Sequence, residues 1–130
     1  GSVEEFKKYK STVPHIKIYS GDDAMMPAFA REGAEGLISV ASNSWPLATG
    51  HYVRKCLENR LTKEEASLWK KASDSLFTAS NPVPVKRLLK EESTIESAHC
   101  KLPLHHEDLK SIDELKEANK LVERWLQESC

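Results

Sequence analysis

The segment 16–24, with the sequence Ile-Lys-Ile-Tyr-Ser-Gly-Asp-Asp-Ala, restricts the possible fold of this chain more than any other. A short run rich in β-branched residues stops at Gly21 and is followed by two adjacent carboxylates, Asp22 and Asp23. Buried parallel strands end in this way when they bring polar groups to a cleft, and ligands collect at the carboxyl edge of such sheets. The segment therefore predicts a β-strand at residues 16–19 that ends at a binding cleft.

A second strand is predicted at residues 37–41, after a short helix. The carboxylates of Asp22 and Asp23 lie where that helix would begin, near free backbone amides and the positive end of the helix dipole. The helix would end near Gly33, because glycine is common just after helices. A strand, a helix and a strand in this order form a βαβ unit with parallel strands and a right-handed crossover.

The rest of the chain has helical patterns. Helices are expected at residues 3–10, after a loop at 42–46, after Thr62, at 83–91 and after Ser111, with an irregular segment at 93–109. Thr62 with Glu65, and Ser111 with Glu114, have the spacing of capping boxes. The apolar residues predicted to face the core are Val53, Cys56, Leu57 and Leu61, then Leu68, Trp69, Ala72, Leu76 and Phe77, and finally Leu115, Ala118, Leu121, Val122 and Trp125.

Size and charge exclude several classes of protein. A chain of 130 residues has room for one domain with a core, and 19 basic against 20 acidic residues give no reason to expect nucleic acid or a membrane as partner. No apolar run approaches the roughly 20 residues that span a bilayer, and no signal-peptide pattern opens the chain. The three cysteines, Cys56, Cys100 and Cys130, lack paired spacing, which predicts reduced thiols in a cytoplasmic protein.

The two predicted strands are too few for a complete sheet. Two parallel strands are not stable alone, and both would have unpaired edges. The first half of the chain is therefore expected to be the end of a larger architecture.

Three motifs resemble the dihydrodipicolinate synthase family, also called 4-hydroxy-tetrahydrodipicolinate synthase. They are Ser-Gly-Asp-Asp-Ala at residues 20–24, Gly-Leu-Ile-Ser-Val-Ala-Ser-Asn at 36–43, and Asn-Pro-Val-Pro-Val-Lys at 81–86. The resemblance covers essentially the whole chain but only the C-terminal part of the family's sequence. It implies an α/β fold, in which residues 1–61 form the C-terminal part of a (β/α)8 TIM barrel with strands seven and eight. Residues 62–130 would form a C-terminal helical extension.

The resemblance also implies an activity. The family condenses pyruvate with aspartate semialdehyde, on the route to diaminopimelate and lysine, through an imine between pyruvate and a lysine at the end of strand six. That lysine and a proton-relaying tyrosine belong to family sequence upstream of Gly1. The segment alone is therefore expected to be inactive, without catalytic residues, and to need the missing N-terminal part of the barrel. A homo-oligomer is implied, and no cofactor and no metal.

Four residues are carried over as binding residues of the intact enzyme. Ile38 matches the family position whose backbone contacts bound pyruvate, and Gly21, Asp22 and Asp23 match the tip of strand seven beside the pocket. Lys17 would lie on the wrong strand to be the imine lysine. From the residues alone, Asp22 and Asp23 fit helix capping better than general acid–base catalysis, because the side chains of adjacent residues point apart.

Other residues have simpler interpretations than a functional one. Metal-ligand types occur at His99, Cys100, His105 and His106, but their spacing matches no strong zinc pattern and predicts a surface loop. The apolar residues Met25, Met26 and Phe29 indicate packing, and part of that helix face, with Arg31 and Glu32 beside it, is a hypothetical subunit contact. Cys56 is expected in the core.

Three alternatives to a synthase segment stay open. The chain could be a non-catalytic barrel relic that acts as an interaction module through its strand edges. It could belong to a related pyruvate-dependent aldolase of the same superfamily. The missing half could also be a separate polypeptide that reassembles with this one.

Overall fold

The computed structural model describes residues 1–129, and the prediction for Cys130 lies outside the described residues. The described part of the chain is mainly helical. Its six α-helices are α1 (Val3–Thr12), α2 (Met26–Arg31), α3 (Pro46–Leu57), α4 (Lys63–Ser75), α5 (Val83–Glu91) and α6 (Asp113–Ser129), and short 3₁₀ helices lie at Ala41–Asn43 and His106–Asp108. Within residues 1–129 no helix is long and apolar enough to cross a membrane.

Local sequence signals explain most helix boundaries. The hydroxyl of Thr62 accepts a hydrogen bond from the Glu65 amide, and the Glu65 carboxylate accepts one from the Thr62 amide, which confirms the first predicted capping box. At the start of α6 the partner differs by one residue, because Ser111 exchanges hydrogen bonds with Asp113 rather than with Glu114. The bounds predicted for α5 are confirmed.

The main core is built around Trp69 of α4. Its indole stacks on Tyr52 of α3, with ring centroids 4.2 Å apart, and meets Trp125 of α6 edge-on at 5.3 Å. Helices α4 and α6 pack extensively against each other. Further buried residues of this core are Met26, Ala41, Trp45, Ala48, Cys56, Ala72, Leu76, Val83, Val85, Leu88, Cys100, Leu109, Leu115, Ala118 and Val122.

Two residues predicted to face the core are exposed. Leu57 is 45% exposed and Phe77 is 53% exposed. Leu57 is the last residue of α3, and Phe77 follows Leu76, the C-cap of α4, so the helical periodicity no longer directs these side chains inward. The prediction was wrong at both positions because it extended each helix face too far.

A smaller apolar cluster joins α1 to α2. The rings of Phe6 and Phe29 stack with centroids 5.1 Å apart, and Ala34 completes the cluster. Met26, on the same short helix as Phe29, is fully buried in the main core. The interpretation of these apolar residues as packing is therefore confirmed, whereas the subunit contact beside Arg31 stays a prediction.

The segments predicted as strands meet in a single parallel bridge. Ser20 pairs with Leu37, since the Ser20 amide donates to the Gly36 carbonyl (2.9 Å) and the Ile38 amide donates to the Ser20 carbonyl (2.8 Å). The parallel direction agrees with the prediction, but extended strands at 16–19 and 37–41 are wrong for residues 1–129. Two segments without further neighbours have too few partners to form a ladder.

The end of the second segment also differs from the prediction. Val40 has helical backbone angles and Ala41 begins a 3₁₀ helix, so the chain turns away from Leu37 after two or three residues. Ala41 is buried in the core instead of extending a strand. The division of the chain at residues 61 and 62 stays a prediction.

Buried polar contacts join α3, α4 and α6. Lys55 forms a largely buried ion pair with Glu65, whose carboxylate also accepts a hydrogen bond from the Trp125 indole at 3.0 Å. Burial acts to raise the pKa of Glu65, but the hydrogen bonds from Lys55, Thr62 and Trp125 outweigh it and lower this pKa. Glu65 is therefore an ionised acceptor that three helices share.

Candidate binding site at the strand ends

The parallel bridge brings together two of the segments predicted to bind a ligand. Because Ile38 donates to the carbonyl of Ser20, the main chain at Ile38 lies directly beside the turn that begins at Gly21. Ile38 is 71% exposed and Gly21 is exposed as well. The structure thus presents Gly21, Asp22 and Ile38 together at one accessible edge.

The tip of the first segment is a turn that its own side chains hold in place. The hydroxyl of Ser20 donates to the Asp22 carbonyl oxygen (2.8 Å) and accepts from the Asp22 amide (3.1 Å). Asp22 Oδ1 accepts hydrogen bonds from the amides of Ala24 (2.9 Å) and Met25 (3.2 Å), which precede α2. Asp22 thus holds the turn before α2 rather than capping the helix itself, because the N-cap of α2 is Met25 and has no side-chain cap hydrogen bond, so the predicted helix-capping role is wrong. The side chain of Asp22 stays exposed.

The neighbouring carboxylate has a different role. Asp23 is only 2% exposed, and it accepts hydrogen bonds from the hydroxyl of Ser39 and from the Val40 amide (3.0 Å). Asp23 therefore joins the second bridge segment to the first on the buried side of the exposed edge. As predicted, the two adjacent side chains point apart, and they form no acid–base pair.

Helix α3 supports this turn from the core side. The hydroxyl of Tyr52 donates to the Asp23 carbonyl oxygen at 2.8 Å while its ring packs on Trp69. Burial, and then the nearby Cys56, raise the pKa of Tyr52, and burial raises the pKa of the Cys56 thiol to about 12. Both groups are protonated at neutral pH, so Tyr52 is a hydrogen-bond donor and Cys56 a core residue. Sequence analysis missed Tyr52, although it lies four residues before Cys56 on the same helix face.

A cleft of about 450 Å³ separates this tip from α4 and its C-terminal end. The lining includes Gly21 and Asp22 on one side and Lys70, Ser73 and Phe77 on the other. Lys70 forms an ion pair with Asp74 (2.6 Å). The buried hydroxyl of Ser73 has no hydrogen-bond partner among residues 1–129. The cleft offers a few polar main-chain and side-chain groups on a mainly apolar lining that includes an exposed aromatic ring, a combination typical of small-molecule sites.

Lys17 does not lie in this cleft. Its ammonium group is exposed and pairs with Glu35 at 3.3 Å, a surface ion pair between the two bridge segments. A lysine that forms an imine near neutral pH needs a desolvated environment, which Lys17 lacks.

The histidines of the irregular segment meet in a different combination from the predicted one. Possible ligand atoms of His105, His106 and Glu107 lie within 4.8 Å of one another. Cys100 is buried and donates to the Ala98 carbonyl instead. His105 Nδ1 accepts a hydrogen bond from the Glu107 amide (3.3 Å), so this nitrogen is already engaged. We assign no metal to this group.

Comparison with known proteins gives a consistent picture. The model of the dihydrodipicolinate synthetase family matches residues 1–122. The 4-hydroxy-tetrahydrodipicolinate synthase of Wolbachia pipientis wMel is 43% identical over 125 residues, which cover 96% of this chain and 42% of that protein. The enzyme of the same name from Chlamydia pneumoniae is 43% identical over 108 residues, covering 83% of this chain and 36% of that protein. The chain thus spans about two fifths of the length of the curated relatives that it matches.

Solved structures agree in fold. The structure of the 4-hydroxy-tetrahydrodipicolinate synthase from Methylacidiphilum fumariolicum SolV superposes with a TM-score of 0.82 at 29% identity, over 98% of this chain and 43% of that one. A monomeric dihydrodipicolinate synthase variant superposes with a TM-score of 0.74 at 24% identity, over 92% of this chain and 42% of that one, which supports the fold alone.

Proposed function

The chain belongs to the dihydrodipicolinate synthetase family, and on this premise we propose that it is the C-terminal part of a 4-hydroxy-tetrahydrodipicolinate synthase. The intact enzyme is a cytoplasmic lyase and homo-oligomer that condenses pyruvate with aspartate semialdehyde through a lysine imine. The imine lysine and the relay tyrosine come from the N-terminal part of the barrel. This segment contributes the pyruvate-site wall and oligomer contacts, and alone it is inactive.

The observation that carries the proposal is the parallel bridge between Ser20 and Leu37. In a (β/α)8 barrel, ligands bind where adjacent parallel strands end at the carboxyl edge. Here two adjacent parallel segments end side by side, with Gly21 following one and Ile38 lying at the other. In the intact barrel, strand six would supply the imine lysine next to this pair.

Gly21 has a specific role in this wall. A Cβ built on Gly21 meets no atom of residues 1–129 within 4 Å, so the space in front of its backbone is open in the described part of the chain. We assign that space to the substrates, whose close approach to the main chain needs a residue without a side chain. Ile38 then contributes main-chain groups, and Asp22 keeps the turn in shape.

The direct test is a steady-state assay of the full-length protein with pyruvate and aspartate semialdehyde. We expect Gly21→Ala to lower kcat/KM about tenfold, equivalent to about 1.4 kcal/mol, with unfolding stability nearly unchanged. Gly50→Ala is the matched control, since its Cβ also meets no atom within 4 Å but lies on the exposed side of α3. Wild-type activity for both Gly21→Ala and Gly50→Ala would contradict the assignment of Gly21 to the site wall.

The exposed apolar residues of the bridge segments favour one alternative. Ile16, Tyr19 and Ile38 are all exposed, and apart from the amides of Ile16 and Ile38 their main-chain groups have no main-chain partner among residues 1–129. An interaction module would use this edge to bind a partner strand. If the protein lacks synthase activity and elutes from gel filtration together with a stoichiometric partner bound at this edge, that result would favour the interaction module. Turnover of pyruvate with a different aldehyde would instead identify a related aldolase.

A further inference from the structure

A polar pocket between α5 and the following irregular segment has no part in the proposed function. Its volume is about 640 Å³, within the range of small-molecule sites. Its lining includes Arg87, Lys90 and Glu91 of α5 and, across from them, His99, His106 and Glu107. None of these residues lines the cleft beside Gly21 and Asp22.

The lining of this pocket has two cations and two carboxylates, but within residues 1–129 they form no ion pairs with one another. Glu91 pairs with Lys116 of α6, which neutralises one of the two carboxylates. The other, Glu107, has a side chain that is 76% exposed and lies beside His105. Within residues 1–129, neither Arg87 nor Lys90 has a carboxylate oxygen within 4 Å, so two cations face the pocket without an anionic partner.

The walls of the pocket are held in place before any ligand binds. The half-buried guanidinium of Arg87 donates to the His106 carbonyl at 2.9 Å, which fixes its position and leaves its other N–H groups for a ligand. Lys86 donates to the His99 carbonyl at 2.7 Å and so fastens the opposite wall to α5. A preorganised site loses less conformational entropy on binding.

We propose that this pocket binds a small organic molecule through a phosphate group. Guanidinium donates two parallel hydrogen bonds to phosphate oxygens, and an ammonium adds a compact positive charge. Arg87 supplies the first group and Lys90 the second, while the imidazoles of His99 and His106 supply further polar edges. The volume exceeds what a single inorganic phosphate fills, which favours a phosphate ester.

The test is a calorimetric titration of the full-length protein with inorganic phosphate, at constant ionic strength adjusted with chloride. We expect saturable binding that weakens about tenfold or more in Lys90→Gln, because a hydrogen bond to a charged group is lost. Lys90 is exposed, so this variant should fold normally. Arg87→Lys should bind with intermediate affinity, since it keeps the charge and loses the paired hydrogen bonds. Lys8→Gln, on exposed α1, is the control and should bind as the wild type does.

Three outcomes would overturn the proposal. They are the absence of saturable phosphate binding, unchanged affinity in Lys90→Gln, and tighter binding of malonate than of phosphate, which would indicate a carboxylate site. No pyruvate enters this titration, so its failure leaves the proposed synthase activity untouched. A phosphate monoester that binds more tightly than inorganic phosphate would support the organic ligand.

Discussion

The hydroxyl of Tyr52 donates a hydrogen bond to the main-chain carbonyl oxygen of Asp23, with 2.8 Å between the two oxygens. This contact joins α3 to the turn that carries Gly21 and Asp22. The ring of Tyr52 is itself held by stacking on Trp69, so the position of the turn depends on the main core. The candidate site is thus supported by a residue that does not face it.

Tyr52→Phe tests this support. The variant keeps the aromatic stacking but removes the shorter of two hydrogen bonds to the Asp23 carbonyl, which keeps only the longer one from the Met26 amide (3.4 Å). We expect this loss to lower the free energy of unfolding by about 0.5–1.5 kcal/mol. Tyr9→Phe is the control, because Tyr9 is exposed and removal of its hydroxyl should leave the free energy of unfolding nearly unchanged. Denaturant unfolding of both variants measures the difference, and equal stabilities would contradict the role of Tyr52.

Substitution of the two adjacent carboxylates should separate their roles. Asp23→Ala leaves the Ser39 hydroxyl and the Val40 amide without their buried acceptor, and we expect a loss of about 2–3 kcal/mol. Asp22→Ala removes an exposed turn contact and should cost about 1 kcal/mol or less. Denaturant midpoints at neutral pH give both values, and a larger loss for Asp22→Ala would reverse the assignment.

A side chain at position 36 would press against the ring of Tyr19. A Cβ there would lie 2.8 Å from two ring carbons of Tyr19, beside the parallel bridge. Because Tyr19 is 48% exposed and its ring can turn away, Gly36→Ala should lower stability by about 1 kcal/mol, and Tyr19→Ala in the same chain should recover part of the loss. Gly50→Ala should instead raise stability by about 0.5–1 kcal/mol, because Gly50 lies in a helix with open space around it. Thermal unfolding of wild type and the three variants checks the pattern.

The shared carboxylate of Glu65 should make stability depend on acid pH. Its pKa is lower in the folded protein than the ordinary value of 4.5, so its ionised form stabilises the fold above that pH. This stabilisation is lost as the pH falls below 4.5 and through the lowered pKa. Glu65→Gln should therefore be less stable than wild type at pH 7, with a difference that shrinks toward pH 3.

The control for that prediction is Glu64→Gln, one residue earlier and exposed. We expect it to change stability by less than about 0.5 kcal/mol. Unfolding free energies of wild type and both variants, measured from pH 3 to pH 7, test the predicted pH dependence. A constant difference between wild type and Glu65→Gln would show that the three hydrogen bonds to Glu65 do not favour its ionised form.

Local signals predicted the start of α4 and the bounds of α5 correctly, whereas α1 extends two residues further than predicted and α2 begins after Asp22 and Asp23. The start of α4 follows from Thr62 and Glu65, and α5 follows from prolines near its first turn, since both signals act within a few residues. The burial of Trp69, Leu115 and Trp125 follows from helical periodicity. Periodicity failed at Leu57 and Phe77 because each lies where its helix ends.

The site could be predicted only in part. The motif resemblance identified Gly21, Asp22, Asp23 and Ile38. It did not show which groups the two carboxylates would contact, and those contacts are known only from the structure. Ser39 lies sixteen residues from Asp23, and Tyr52 lies twenty-nine residues away. No local pattern pairs residues at such separations. The strands were overpredicted for a related reason, because strand formation depends on neighbours distant in sequence.

We propose that this chain forms one wall of a pyruvate site whose imine lysine belongs to the preceding part of the barrel. Intact mass spectrometry, before and after treatment with pyruvate and borohydride, tests it most directly. We predict one reduced pyruvate adduct on the full-length protein and none on residues 1–130 produced alone. An adduct on residues 1–130, or no adduct on the full-length protein, would contradict the account.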